Sequence, residues 1–174
     1  IASDKSAGKK ITFKGKNYSV LGLSDFDFSK VKIAFFSAGS VIAEKWAPFA
    51  AKKTIVIDNS KHFRMDKDVP LVVPEVNADS LKNYKNKNFI ANANCSTFQL
   101  VLALKPLHDQ FKIKRVIVST YQSVSGAGNI HIKELEEQSK KVLNKEKVIS
   151  KNFTKQIAFN VIPHIDTFME DRYT

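Results

Sequence analysis

The chain has 174 residues, which is enough for one sizeable core or for parts of two domains. Its apolar fraction of 43% and charged fraction of 26% are those of an ordinary soluble globular protein. The sequence contains no apolar run of about 18 residues, so no membrane span is predicted. The net charge of +11 comes from scattered lysines rather than from a basic stripe interleaved with aromatics, so it does not predict a nucleic-acid surface.

The first third of the chain predicts a hairpin followed by a strand–helix–strand unit. Residues 10–13 and 18–21 are strand-like and flank a turn-like insert with a glycine, which predicts the hairpin. The apolar runs over 31–39 and 54–60 are typical of buried strands, and the helical pattern over 41–53 lies between them, with its end weakened by a proline. Because the links are short, this unit predicts a parallel sheet.

Two of these predicted strands end in small polar residues. Ser37 and Gly39 follow the first strand, and Asn59 follows the second. Ligands of open parallel sheets bind at the carboxyl ends of the strands, so this edge is the expected binding site.

The rest of the chain predicts further strands and helices around the only cysteine. Residues 87–95 predict a short strand that leads to Cys95, and a helix follows to about His108. Residues 113–128 predict a strong strand that ends in polar and glycine residues, and residues 130–143 predict an amphipathic helix. The histidines have no ligand-like spacing, so no metal site is predicted.

The only cysteine cannot form an internal disulfide and fits a reducing, cytoplasmic setting. Ser96 and Gln99 have the S-x-x-Q spacing of a capping box, with Ser96 as the N-cap, so Cys95 is expected immediately before a helix N-terminus. There the unpaired N–H groups and the helix dipole favour a thiolate and can stabilise an oxyanion. Position alone leaves two readings open, inert packing and a reactive thiol.

Four segments, in the same order, resemble aspartate-semialdehyde dehydrogenases over nearly the whole chain. They are VIDNSKHFRMDKDVPLVVPEVN at 56–77, NANCSTFQLVLALKPLHD at 92–109, RVIVSTYQSVSGAG at 115–128 and IAFNVIPHID at 157–166. The resemblance implies an α/β fold with two parts. An incomplete Rossmann-like NADP-binding domain at 1–94 is followed by part of an α/β catalytic and dimerisation domain at 95–174.

The resemblance also implies an activity, the NADPH-dependent reductive dephosphorylation of L-aspartyl 4-phosphate to L-aspartate 4-semialdehyde in lysine, methionine and threonine biosynthesis. Cys95 is then the nucleophile that expels phosphate and forms a thioester, which hydride reduces. Arg64 matches the phosphate-binding arginine, whose guanidinium suits an oxyanion. Gln122 matches the glutamine that contacts substrate near the thioester, and Asn94 matches an asparagine that lines the same pocket.

By the same resemblance, three groups of residues bind NADP. They are Ser3, Lys5 and Ser6 in the loop for the adenosine 2′-phosphate, Ser37, Gly39 and Asn59 at the strand ends, and Ser125 and Gly126 against the nicotinamide. Lys5 replaces the usual arginine, which keeps the charge but loses the fork. The resemblance further implies a homodimer for the full-length protein, with a small-molecule substrate and neither nucleic acid nor membrane as a partner.

The chain departs from the family pattern in several places. Ala93 stands where a proline is usual, and the chain begins at Ile1 without a glycine-rich phosphate loop. His164 does not match the general-base histidine, which is expected beyond Thr174 together with the arginine that binds the substrate carboxylate. We therefore expect this stretch to be a fragment that is inactive and poorly stable by itself, and the full-length protein to be the dehydrogenase.

Two alternatives remain at this stage. One is an enzyme like N-acetyl-glutamyl-phosphate reductase, but its cysteine segment usually reads Asn-Pro-Gly-Cys-Tyr, unlike NANCST here. The other is a non-catalytic basic binding module on the same fold, which would bind nucleic acid in a salt-sensitive way. The presence of Cys95, Gln122 and Arg64 argues against this second alternative.

Overall fold

The computed structural model describes residues 1–165 and 168–170. It divides into two compact units, Ile1–Val116 and Ile117–Thr174. This division falls after Val116, so the helix that begins at Cys95 belongs to the first unit. The functional domain boundary expected before Cys95 stays a prediction. Asp166, the last residue of the segment at 157–166, lies outside the described residues.

Apart from the strand predicted over 113–128, the elements follow one another in the predicted order, with additional short helical turns. The strands are β1 (Lys10–Phe13), β2 (Lys16–Ser19), β3 (Ile33–Phe36), β4 (Ile55–Asp58), β5 (Leu71–Val72) and β6 (Phe89–Asn92). The α-helices are α1 (Ser40–Ala51), α2 (Pro74–Asn77), α3 (Cys95–Phe111) and α4 (Asn129–Leu143). Short 3-10 segments occupy Asp4–Ser6, Phe28–Lys30, Ala78–Asn86 and Val124–Ala127.

The first unit contains a four-stranded sheet in the order β3-β4-β6-β5, and every pairing in it is parallel. The pairs Phe36 with Asp58 and Asp58 with Ala91 align the carboxyl ends of β3, β4 and β6. The predicted α/β class and parallel sheet are therefore confirmed, and the chain segments that follow these three strands emerge at one edge.

The predicted hairpin is present, but its second strand begins two residues early. Lys14 and Gly15 both have positive φ, at 47° and 74°, so they form a tight two-residue turn that pairs Phe13 with Lys16. This backbone geometry matches the right-handed twist of antiparallel strands. The tight turn explains why β2 starts at Lys16 instead of residue 18.

Alanines form the contact face of α1. Ala43, Ala47, Ala50 and Ala51 are buried against the sheet, where Ala34, Phe36, Val56, Phe89 and Ala91 belong to the same core. Small side chains let the helix approach the strands closely, which keeps packing dense. The helix continues through its proline to Ala51, because this packing outweighs the one backbone hydrogen bond that the proline removes.

The strong strand predicted over 113–128 is not formed. Within the described parts of the chain these residues have no ladder partner, and Val116, Ile117 and Val118 are exposed. The β-branched residues of this stretch favour an extended strand, but a strand also needs a neighbouring strand to pair its backbone N–H and C=O groups. The end of the stretch instead forms the 3-10 turn Val124–Ala127.

In the second unit, α4 organises a segment without regular secondary structure. Glu134 and Gln138, one turn apart on α4, are only 5% and 2% exposed and are called here the buried polar pair. Glu134 accepts hydrogen bonds from the backbone N–H groups of Lys151 and Asn152, at 2.8 and 2.7 Å. Gln138 Oε1 accepts from the N–H groups of residues 157 and 158 at 2.8 and 3.2 Å, so the pair fixes residues 150–158.

Candidate active site

Cys95 is the first residue of α3 and is exposed. Its helix follows β6 after two residues, so the thiol lies at the carboxyl edge of the parallel sheet. No acceptor among the described residues pairs with the backbone N–H of Cys95 or Thr97. Two donors of the helix N-terminus are therefore available to an oxyanion that forms on an acyl group attached to the sulfur.

The N-cap of α3 is Asn94, and the expected Ser96 cap is wrong. Asn94 Oδ1 accepts from the Ser96 N–H at 3.0 Å and from Ser96 Oγ at 2.6 Å. Asparagine is at least as good a cap as serine, so the helix begins two residues before the position that the capping-box spacing indicates. Gln99 Nε2 donates to the Cys95 carbonyl at 3.3 Å rather than returning to the cap N–H.

Asn94 also touches the thiol. Cys95 Sγ lies 3.8 Å from Asn94 Oδ1, the oxygen that already caps the helix. One amide thus orders the helix end and lies beside the sulfur. The role expected for Asn94, as a residue that lines the substrate pocket, stays a prediction.

Arg64 is half-buried and donates to three backbone carbonyls. Its Nε lies 2.9 Å from the carbonyl oxygen of Asn92, and its Nη2 lies 3.2 Å from that of Asn59 and 3.4 Å from that of Ala93. We call Arg64 with these three carbonyls the carbonyl clamp. It joins the segments that follow β4 and β6 immediately before the cysteine.

Asn59 and Asn92 connect the same two strand ends through their side chains. Asn92 Nδ2 donates to Asn59 Oδ1 at 2.8 Å. The sequence reading missed Asn92, although a polar residue at the carboxyl end of a predicted strand was the available signal. The side-chain amide N–H groups of Asn59 have no described acceptor, which leaves them available to a ligand.

A buried Asx turn supports the loop after β4. Asp58 is 0% exposed and accepts from the N–H and Oγ of Ser60 at 3.0 and 2.6 Å. Ser60 Oγ in turn accepts from the backbone N–H of His62 at 3.3 Å. The Asp-x-Ser pattern is a common turn former, so the sequence contained this signal as well. The turn fixes the path of the chain that leads to Arg64.

Ser37 and Gly39 follow β3 at the same edge of the sheet at which Asn59 follows β4. The Asn59 N–H donates to the carbonyl of Phe36 at 2.8 Å, which places the ends of β3 and β4 side by side. Gly39 has φ +85°, precedes α1 as its N-cap, and a Cβ built on it would meet nothing within 4 Å. A positive φ and open space next to a helix N-terminus suit the phosphate of a dinucleotide.

Ser3, Lys5 and Ser6 form one short turn at the start of the chain. The Ser6 N–H donates to the Ser3 carbonyl at 2.7 Å, and Lys5 is exposed. The adjoining Ala2 pairs with Gly22 in an isolated parallel bridge. An exposed lysine in a turn with two serines is suitable for an anion, which is what the expected contact with a 2′-phosphate requires.

Gln122, Ser125 and Gly126 belong to the second unit. Thr120 Oγ1 donates to Gln122 Oε1 at 3.4 Å, and the hydroxyls of Ser123 and Ser125 lie 2.8 Å apart. Gly126 donates its N–H to the Ser123 carbonyl at 3.1 Å within the 3-10 turn. The catalytic and cofactor roles expected for these residues stay predictions.

Over residues 1–165 and 168–170, no group of three or more His, Cys, Asp or Glu side chains could hold a metal ion. None of the helices in that part of the chain is long and apolar enough to span a membrane.

Comparison with known proteins gives the same family over most of the chain. Residues 1–84 match the semialdehyde dehydrogenase NAD-binding domain, and residues 104–174 match the semialdehyde dehydrogenase dimerisation domain. The aspartate-semialdehyde dehydrogenase of Shewanella sp. (strain DB6705) is 53% identical over 175 residues, which cover 100% of this chain and 52% of that protein. The chain thus spans about half the length of the curated relatives it matches.

Solved structures that resemble this chain belong to the same family. Aspartate semialdehyde dehydrogenase II of Vibrio cholerae, complexed with ASA, has a TM-score of 0.92 and 51% identity over 99% of this chain and 52% of that chain. The enzyme from Candida albicans, solved with NADP, has a TM-score of 0.54 and 30% identity over 64% of this chain and 39% of that chain.

The chain thus combines a match to an NAD-binding domain over residues 1–84 with an exposed cysteine, Cys95, at the carboxyl edge of the parallel sheet. The chain belongs to the semialdehyde dehydrogenase family. The relatives named above are aspartate-semialdehyde dehydrogenases.

Proposed function

We propose that the whole protein reduces L-aspartyl 4-phosphate to L-aspartate 4-semialdehyde through a thioester on Cys95. The observation that carries the proposal is the exposed Cys95 at the first position of α3, in a chain 53% identical to an aspartate-semialdehyde dehydrogenase. A thiolate is a strong nucleophile and a thioester is readily reduced, so the residue suits both halves of the reaction.

The first step uses groups of this chain. The Cys95 sulfur attacks the acyl carbon, and the free N–H groups of Cys95 and Thr97 stabilise the oxyanion that forms. Collapse of this intermediate expels phosphate and leaves the thioester. In our proposal Arg64 binds the phosphate with the part of its guanidinium that the carbonyl clamp leaves open, and Gln122 orients the acyl group.

The cofactor is proposed to be NADP, whose reduced form NADPH would supply the hydride that reduces the thioester. The strand ends fit a dinucleotide, because Gly39 combines a positive φ with open space and Ser37 and Asn59 add polar groups beside it. Lys5 with Ser3 and Ser6 supports a preference for the 2′-phosphate, and Ser125 and Gly126 are proposed to lie against the nicotinamide. The match to a dimerisation domain supports a homodimer, and the lone cysteine supports a cytoplasmic location.

The test is phosphate-dependent oxidation of aspartate semialdehyde by the whole protein, followed as NADPH formation. Cys95→Ser should lower kcat by at least about a thousandfold, since a hydroxyl without an activating base is a poor nucleophile. Lys5→Ala should raise KM for NADP several-fold and leave KM for NAD nearly unchanged. Lys67→Ala, on an exposed loop lysine, is the matched control and should leave both KM values unchanged.

Three outcomes would contradict the proposal. Full activity of the Cys95→Ser protein would show that the reaction does not pass through a thioester on Cys95. A preference for N-acetyl-glutamate semialdehyde would assign the related reductase instead. Salt-sensitive binding of nucleic acid without any dehydrogenase activity would favour a binding module on this fold.

A further inference from the structure

Arg64 has contacts that phosphate binding does not require. A guanidinium presents five N–H donors, and those on Nε and Nη2 are directed at the carbonyls of Asn59, Asn92 and Ala93 at 2.9 to 3.4 Å. Only Nη1 has no acceptor among the described residues. A bidentate fork on a phosphate would therefore require Arg64 to release at least one of these carbonyls.

Two of the three carbonyls, those of Asn92 and Ala93, belong to the segment that leads to the cysteine. Asn92 is the last residue of β6, Ala93 and Asn94 follow it, and α3 begins at Cys95. The carbonyl clamp holds the carbonyl groups of Asn92 and Ala93, and the Asn94 side chain caps the start of the helix. The sulfur is thus positioned from the strand side by Arg64 and from the helix side by Asn94.

Residue 93 is an alanine, which restrains its own backbone less than a proline would, so the contact with Arg64 matters for the conformation of this segment. Proline fixes φ near −65° by its ring, whereas alanine leaves the backbone free to adopt other conformations. In this chain Ala93 is 3% exposed, and its carbonyl accepts from Nη2 of Arg64. The guanidinium supplies through hydrogen bonds a restraint that the residue at 93 does not provide.

We propose that Arg64 is a positioning residue, which holds the 92–94 segment so that Cys95 stays at the ordered N-terminus of α3. This role deepens the proposed function, on which its catalytic meaning rests. The clamp itself needs neither substrate nor cofactor, so it is tested without the enzymatic reaction.

The variants are Arg64→Lys and Arg64→Ala, with Arg115→Lys as the matched control. Lysine keeps the positive charge but cannot reach three carbonyls in a fixed geometry. Arg115 is exposed and makes no described side-chain hydrogen bond, so the same substitution there changes only surface chemistry. Each protein is first checked for a parent-like circular dichroism spectrum.

The first measurement is amide hydrogen exchange by mass spectrometry on peptides that cover residues 93–99 and residues 40–51. We expect at least tenfold faster exchange at 93–99 in both Arg64 variants, because the Ser96 and Phe98 N–H groups lose their ordered acceptors on Asn94. Exchange at 40–51, within α1, should stay within twofold of the parent. A merely structural role would accelerate both peptides together.

The second measurement is the rate of Cys95 alkylation by iodoacetamide at neutral pH. We expect both Arg64 variants to react several-fold more slowly than the parent, because a frayed helix end stabilises the thiolate less. A parent-like rate in Arg64→Lys alone would assign the effect to charge and overturn the positioning role. Parent-like exchange and alkylation in both variants would also overturn it.

A third measurement covers the case in which neither variant folds. In the parent protein the Arg64 Nε–H signal should exchange slowly with water, because the proton is bonded to the carbonyl of Asn92. Fast exchange would show that the guanidinium is not committed to the clamp and would overturn the positioning role. If the clamp is confirmed and the dehydrogenase assay fails, only the proposed function falls.

Discussion

The two compact units hold their chains by different means. In the first unit, α1 and the strands bury small and aromatic apolar side chains, and the backbone polar groups are satisfied by parallel ladders. In the second unit, the segment at 150–158 does not pair with a strand. Its backbone N–H groups instead donate hydrogen bonds to the buried polar pair of Glu134 and Gln138. A buried N–H must be paired, and either a neighbouring strand or a side chain can pair it.

This difference predicts unequal sensitivity to substitution. Apolar packing is spread over many weak contacts, so its loss scales with the volume removed. The buried polar pair concentrates several hydrogen bonds in two side chains, so a single substitution can release a whole segment.

The largest effect is expected from Phe28→Ala in the first unit. Phe28 is 1% exposed and lies 5.1 to 6.2 Å, between ring centroids, from Phe26, Phe36 and Phe49. Removal of a buried phenyl ring costs about 3–5 kcal/mol, which urea unfolding monitored by circular dichroism would measure. Phe111→Ala, at a ring 73% exposed, is the control and should cost less than about 1 kcal/mol. Equal losses in the two variants would disprove a core role for Phe28.

The sequence predicts the buried strands and the strand ends of the first unit because both are local patterns. Apolar runs predict β3 and β4, and the small polar residues after them predict the binding edge. The carbonyl clamp could not be predicted, since it joins Arg64 to residues 28 and 29 positions later in sequence. The buried polar pair was hidden for another reason, because a glutamate on an amphipathic helix is usually solvated.

The second prediction breaks the buried polar pair. Glu134→Ala leaves the N–H groups of Lys151 and Asn152 without their acceptor, which costs about 2–3 kcal/mol after water enters. Hydrogen exchange at residues 150–158 should rise by at least tenfold, and exchange in α1 should not change. Glu136→Ala, at an exposed position of the same helix, is the matched control. Unchanged exchange at 150–158 in the Glu134 variant would show that the segment is held by other contacts.

Acid should weaken the same pair to a smaller extent. Burial opposes ionisation of the Glu134 carboxyl, but hydrogen bonds from Lys151, Asn152 and Gln138 outweigh it and hold its pKa below the ordinary value of 4.5. A carboxyl with a lowered folded pKa contributes stability that is present above its unfolded pKa and is lost as pH falls through its folded pKa. Exchange at 150–158, corrected for the intrinsic pH dependence, should therefore accelerate below about pH 4.5.

The control for the acid effect is Glu134→Gln, which removes the titrating group and keeps the shape. It should show faster exchange at 150–158 at neutral pH and little further acceleration in acid. A parent-like acid response in this variant would assign the titration to another carboxyl.

The smallest effect is expected from the cap of α3. Asn94→Ala removes the acceptor of the Ser96 N–H and should cost about 1 kcal/mol, measured by urea unfolding against Asn83→Ala, an exposed asparagine in a 3-10 segment. Asn94→Asp should restore the cap, because aspartate is an equally good N-cap and its charge favours a helix N-terminus. The same carboxylate would lie beside Cys95 Sγ, where the asparagine oxygen is now 3.8 Å away, and would oppose a thiolate. We therefore expect Asn94→Asp to restore stability while slowing Cys95 alkylation several-fold, whereas parallel recovery of both would mean that Asn94 acts on the sulfur only by ordering the helix.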